Sequence, residues 1–300
     1  MSATTATRPA APLPASSQPT ARRQRGPAIG AMTLGAALAT NSLLGPLATD
    51  VIQYPLSLTL LNQTIGLEAV SLFVVAPWSV LAGILTLRGH RAGPLLALAP
   101  ALYTAYMFVQ YVVGPEYTYY PGALALHLGT FIVSMWVATQ AWHAVDVDRV
   151  PQLSPRAKRS AGAILLVMAA FIVSRYTPGF IAATGGTPLA AEFREDVSMF
   201  WTILFMDLGI IVPFTAWCGL HLVRGSSPPV ALVYALLGWF VLVPISVAAM
   251  AVAMVLRDDP FGNPAGAGVF AVVAVLFTAL GAWFFAPLVR TRRPLSPGRT

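Results

Sequence analysis

Eight apolar runs, each close to the length of a bilayer-crossing helix, leave this chain few ways to fold. They fall near residues 28–48, 67–87, 93–113, 121–143, 159–179, 199–223, 229–256 and 267–289. A helix needs about 20 apolar residues to cross roughly 30 Å of hydrocarbon. Lipid-exposed backbone must satisfy its own hydrogen bonds, and the period-2 alternation of barrel strands is absent, so the runs read as helices. Charged residues make up only 10% of the chain, against about 25% in soluble domains. The fold class is therefore an all-α polytopic membrane protein with about eight transmembrane helices and the lipid bilayer as its first partner.

The net charge of +7 does not point to nucleic acid, because the basic residues sit at helix ends rather than on one folded face. They obey the positive-inside rule instead. With the N-terminus inside, 15 of the 18 Lys and Arg residues fall on the cytoplasmic side, and only Arg175, Arg194 and Arg257 fall towards the outside. Glu116, Glu192, Glu195, Asp196, Asp258 and Asp259 also go outside. Tyr111, Tyr117, Tyr119 and Tyr120 cluster where the third run ends, as an interfacial belt does. Lys158 is the single lysine, and with abundant Ala and Pro this composition is that of a GC-rich bacterial genome. The expected location is a bacterial cell (inner) membrane with both termini cytoplasmic.

Residues 1–27 are rich in Ala, Pro, Ser and Thr and read as a disordered cytoplasmic tail; residues 28–289 form the transmembrane bundle and 290–300 a second cytoplasmic tail. Ala37-Leu38-Ala39 resembles a signal-peptide cleavage site, but the apolar run continues past it, which favours an uncleaved first helix. The outer loop 177–196, with Gly185, Gly186 and Pro188, is long enough for a small lid.

An internal repeat is visible. Pro77–Gly89 and Pro213–Gly225 share Pro, Gly, Arg and Gly at 77/213, 83/219, 88/224 and 89/225, each pair 136 residues apart. The same shift lays the first three runs on the fifth, sixth and seventh, and the fourth on the eighth with a slip of several residues. Four spans separate equivalents, so two parallel four-helix halves, 28–143 and 159–289, would be related by an axis along the membrane normal.

The chain also resembles a group of bacterial multi-pass membrane proteins without an assigned activity. The resemblance spans most of residues 30–290. It rests on an acid nine residues before a proline (Glu68, Pro77), on Asp207-Leu208 before Pro213, and on Tyr103, Tyr106, Tyr111 and Gly114 at the exit of the third run. The group tends to have aspartate where this chain has Glu68, and Phe-Asn after the glycine where this chain has Glu116-Tyr117-Thr118. The resemblance implies architecture and no activity.

Depth in the membrane singles out six side chains. At about 1.5 Å of rise per residue, Asp207, Gln110, His127 and Arg175 lie about 24–26 Å from the cytoplasmic boundary, Asn41 about a turn deeper and Glu68 about a turn shallower. A carboxylate at mid-bilayer costs about 2.5–3.5 kcal/mol, so such groups face a partner or water. The expectation is an outward-facing polar cavity between the second and sixth helices, lined by Asp207, Glu68, Arg175, His127, Gln110 and Asn41, with Arg175 as counter-ion. Structural alternatives stand beside it: Glu68 at a helix start near the interface, His127 as a hydrogen-bonded bundle residue, and mid-span prolines as packing kinks.

No GxxxxGK[ST], HExxH, CxxC or GxSxG occurs, and the four histidines lack metal-ligand spacing. Cys218 stands alone, which excludes an intrachain disulfide and a Cys-based zinc site. No catalytic residue, metal or cofactor is expected, and an enzyme is the weakest reading. The function expected is a small-solute or ion permease. The alternative is a non-catalytic accessory or structural membrane subunit, within a homo-oligomer or beside a membrane-protein partner.

Overall fold

The computed structural model describes residues 21–115 and 121–290. The expectations for residues 1–20, for Glu116, Tyr117, Tyr119 and Tyr120, and for 291–300 lie outside the described residues. Among the described residues, eight helices are long and apolar enough to cross a membrane. They are α1 (Ala21–Leu44), α2 (Leu58–Leu87), α3 (Ala92–Val113), α4 (Pro121–Ala144), α5 (Pro155–Thr184), α6 (Val197–Val223), α7 (Val230–Leu256) and α8 (Pro264–Arg290).

Three boundaries move. Helix α1 begins inside the stretch expected to be a tail, because Ala21 to Arg25 are strong helix formers and the next turn packs, with Gly26 beside Trp136 and Pro27 and Ala28 buried. Helix α2 begins at Leu58 rather than near residue 67, capped by the Ser57 hydroxyl, which accepts from the Leu60 N–H at 3.3 Å. Its polar residues are satisfied there: Thr64 donates to the Leu60 carbonyl at 2.8 Å, and Asn62 donates to Asp259 at 2.8 Å. Helix α5 runs from a Ser154 cap to Thr184, so much of the expected lid is helix.

The repeat extends into backbone detail. Both α2 and α6 widen by one residue into a π-turn, at Ser71–Val75 and at Asp207–Ile211, two segments 136 residues apart. The Ala76 and Val212 N–H groups donate five residues back, to the carbonyls of Ser71 and Asp207. Pro77 and Pro213 follow directly; each lacks an N–H and crowds the preceding turn, and the wider turn makes room for the ring. Both helices end on a left-handed glycine, Gly89 (φ 67°) and Gly225 (φ 83°). In each case the glycine N–H and the next N–H reach back to the last turn, from Gly89 and His90 to Thr86 and Leu85 and from Gly225 and Ser226 to Leu222 and His221.

Small residues set the helix pairs. A side chain at Gly83 would strike the Ala28 carbonyl of α1, and one at Gly219 would strike the Gly162 carbonyl of α5. Helices α3 and α7 pack on each other at the centre, α2 packs on α7, and α6 approaches α3 with its first turns.

The halves then diverge. In the first, α2 lies along α3 and α4 closes against α1. In the second, α6 barely touches α7, and α8 stays clear of α5 except near the basic loops. There Ala157 and Trp283 share a cavity of about 260 Å³. The first half is a closed four-helix bundle; the α5–α6 hairpin stands off the rest along a seam.

Gly83→Leu and Gly219→Leu are expected to destabilise by about 1–3 kcal/mol each through overpacking, whereas Gly129→Leu, with nothing within 4 Å of an added Cβ, leaves stability unchanged. Thermal unfolding of the detergent-solubilised variants checks this.

Candidate functional site

The six expected residues separate into two polar nodes, with Gln110 between them and Arg175 apart. The first node lies inside the closed half. The connection after α1 folds back into the bundle and buries Ile52 and Tyr54. The Tyr54 hydroxyl donates to Glu68 Oε1 at 3.2 Å, and the Leu47 N–H donates to Oε2 at 3.1 Å. Asn41 Nδ2 donates to the Tyr54 oxygen at 3.4 Å, and His127 Nε2 lies 2.8 Å from Asn41 Oδ1. Asn41 Oδ1 only accepts, so this bond calls for the His127 tautomer protonated on Nε2. In that tautomer donation runs from His127 through Asn41 and Tyr54 to Glu68, and His127 Nε2 also lies 3.5 Å from the Tyr54 hydroxyl.

The Tyr54, Tyr111 and His127 rings stack with centroids 5.2–5.8 Å apart, and Phe108 stands edge-on to His127. Glu68 is 1% exposed and His127 fully buried. A Cβ at Gly45 would overlap the Glu68 carboxylate, so the loop seals this acid.

The second node lies on the seam. Tyr106 of α3 donates to Asp207 Oδ1 at 2.7 Å, and Tyr176 of α5 donates to Oδ2 at 2.7 Å. Trp239 of α7 stands edge-on to Tyr106, 4.8 Å between centroids, and Phe200 of α6 lies 6.2 Å from Tyr176. Tyr103 and Ser246 join α3 to α7 nearby at 2.6 Å. Asp207, Tyr106 and Tyr176 are only half-buried.

Gln110 is buried between Tyr106 and Tyr111, so α3 is the wall both nodes share. Arg175 is exposed on α5 with its guanidinium 5.9 Å from the Phe193 ring centroid, and it pairs with neither Glu68 nor Asp207. The shared vestibule between α2 and α6 is not formed. Helix α2 packs on the central pair α3 and α7, and a bond joins the starts of α2 and α6, where the Ser57 N–H donates to Asp196 at 3.3 Å.

A further tie joins α2 to α7. Asp259, 6% exposed, accepts from Thr59 at 3.3 Å and from Asn62 at 2.8 Å, while Arg257 Nε donates to Asn62 Oδ1 at 2.7 Å. Among the described residues, no three His, Cys, Asp or Glu side chains gather as metal ligands would.

Sequence reasoning missed Tyr54, Gly45 and Tyr176. Tyr54 sits in a connection that offered no helical periodicity to place it. Tyr176 is next to Arg175, and one residue turns the helix by about 100°, so a preference for charge selected the wrong face. No protein-family model, curated protein or solved structure matches the chain.

Removing one partner of a buried hydrogen bond costs about 1–3 kcal/mol. Tyr54→Phe and Glu68→Gln are expected to lower stability by that amount and Thr139→Ala, on an exposed face of α4, by almost nothing, measured by thermal unfolding in detergent. A larger loss for Thr139→Ala than for Glu68→Gln would reverse the assignment.

Proposed function

We propose that this chain is a small-solute or ion permease of a bacterial inner membrane, with both termini cytoplasmic and Asp207 on the solute path. The observation that carries the reading is the position of Asp207. It opens a π-turn within a membrane-spanning helix, is half-buried, and belongs to the hairpin that is packed least, where it meets Tyr106 of α3 across the seam. Ionisable groups at such depth mark solute and ion pathways, π-turns inside helices concentrate at functional positions, and paired repeats are a common transporter plan. Glu68 has the opposite surroundings and serves as a structural anchor of the static half. The path runs along the seam between α6 and the central pair α3/α7, and the α5–α6 hairpin is the element that moves.

The accessory-subunit reading has one observation in its favour, the side of α5 that α8 leaves uncovered. The two readings part on Asp207. A permease loses uptake in proteoliposomes when Asp207→Asn is introduced at unchanged yield of folded protein, by tenfold or more. Unchanged uptake with that variant favours the subunit.

Orientation is tested separately with Cys218→Ala as background. Ser226→Cys is expected to react with a membrane-impermeant maleimide only from the cytoplasmic side of inverted vesicles, and Thr187→Cys only in intact cells with a permeable outer membrane. The opposite pattern would invert the solute's direction of entry.

A further inference from the structure

Two acids lie within the spanning helices among the described residues, and they invite comparison: Glu68 is sealed, and Asp207 is partly exposed. Glu68 accepts from a phenol and a backbone N–H, and the Gly45 backbone closes over it. Asp207 accepts one phenolic bond on each oxygen, from Tyr106 and Tyr176, and nothing else among the described residues bonds to its side chain. A carboxylate offers about four acceptor positions, so each acid uses about half of its capacity; what sets Glu68 apart is the Gly45 backbone lying against its carboxylate. Asp207 is half-buried, on a helix that makes few contacts with the central pair α3 and α7. No Lys, Arg or His side chain of the described residues bonds to it, although a charge at this depth calls for an opposite one.

We propose that Asp207, Tyr106 and Tyr176 form a binding site for a monovalent organic cation, an amine or quaternary ammonium carrying an apolar body. This rests on the permease reading for its purpose, but the chemistry is local. A divalent metal ion is poorly served, since it takes six or more oxygen ligands, and the node supplies one carboxylate and two hydroxyls without a second acid beside them. One carboxylate neutralises one positive charge. The flanking rings attract an organic cation through their faces and its hydrocarbon through their area. Both phenols are braced from behind, Tyr106 by Trp239 at an interplanar angle of 77° and Tyr176 by Phe200 at 60°, so the site is pre-formed on the α3 and α5 sides. Because Tyr106 belongs to the central pair and Tyr176 to the hairpin, a cation seated on Asp207 bridges the static and the mobile parts.

The test uses the full chain in phosphatidylcholine nanodiscs and isothermal titration with benzyltrimethylammonium, with benzyl alcohol as the uncharged control. Saturable one-site binding of the cation and none of the alcohol is expected. Asp207→Asn should weaken binding tenfold or more and Asp207→Glu less. Tyr176→Leu, which removes the ring, should cost roughly tenfold, and Tyr176→Phe, which keeps it, only about two- to threefold. Size-exclusion elution and far-UV circular dichroism identify variants that fold, and the Tyr176 pair carries the test if Asp207→Asn does not. Absence of binding up to about 10 mM, equal binding of the alcohol, or equal affinity in Asp207→Asn overturns the proposal. Uptake in proteoliposomes separates it from the permease reading. Cation binding without uptake sinks the permease and keeps the site; Asp207-dependent uptake of another solute without cation binding sinks the ligand class and keeps the permease.

Discussion

A carboxylate among apolar helices must be given donors by the protein, and this bundle meets that demand twice in unlike ways. Around Glu68 the donors come from a loop that folds inward, so the acid ties α2 to α1, to α4 through Asn41 and His127, and to the connection 45–57. Around Asp207 they come from tyrosines on two different helices, so the acid is itself the tie between hairpin and core. Remove the first arrangement and a sealed bundle loses its internal bracing. Remove the second and two bodies lose one of the few bonds between them.

The central pair makes this contrast possible. Helix α3 is buried over most of its surface and presents Tyr111 to one node and Tyr106 to the other. Five residues apart on a helix are about 140° apart in direction, so a single helix serves two sites without either sharing a cavity with the other. The Tyr103–Ser246 bond and the Gly238–Ala99 approach hold α3 against α7, which keeps that division of faces fixed.

Length and apolarity made the eight spans legible in the sequence, since both are one-dimensional properties. So was the repeat: four identities at one offset marked the two helices that share a π-turn, a following proline and a glycine stop. Azimuth was not, because a sequence counts residues along a helix axis and not around it. Residues on different helices at one level need not face one another, and the helix placement that puts Glu68 and Asp207 in separate nodes is encoded by no single-sequence pattern. The pairing of Asn41, Glu68 and His127 depends on Tyr54, a loop residue whose inward turn follows from tertiary burial. Arg175 drew attention by its charge, yet its uncharged neighbour faces the acid.

The two π-turns coincide in register, but the side chains that open them do not: Ser71 in one half, Asp207 in the other. The same turn at the same distance before a proline follows from the room the ring needs, whichever side chain opens it. The proline sets the shape of the turn, and the side chain that opens it is free to be a serine on α2 and a carboxylate on α6.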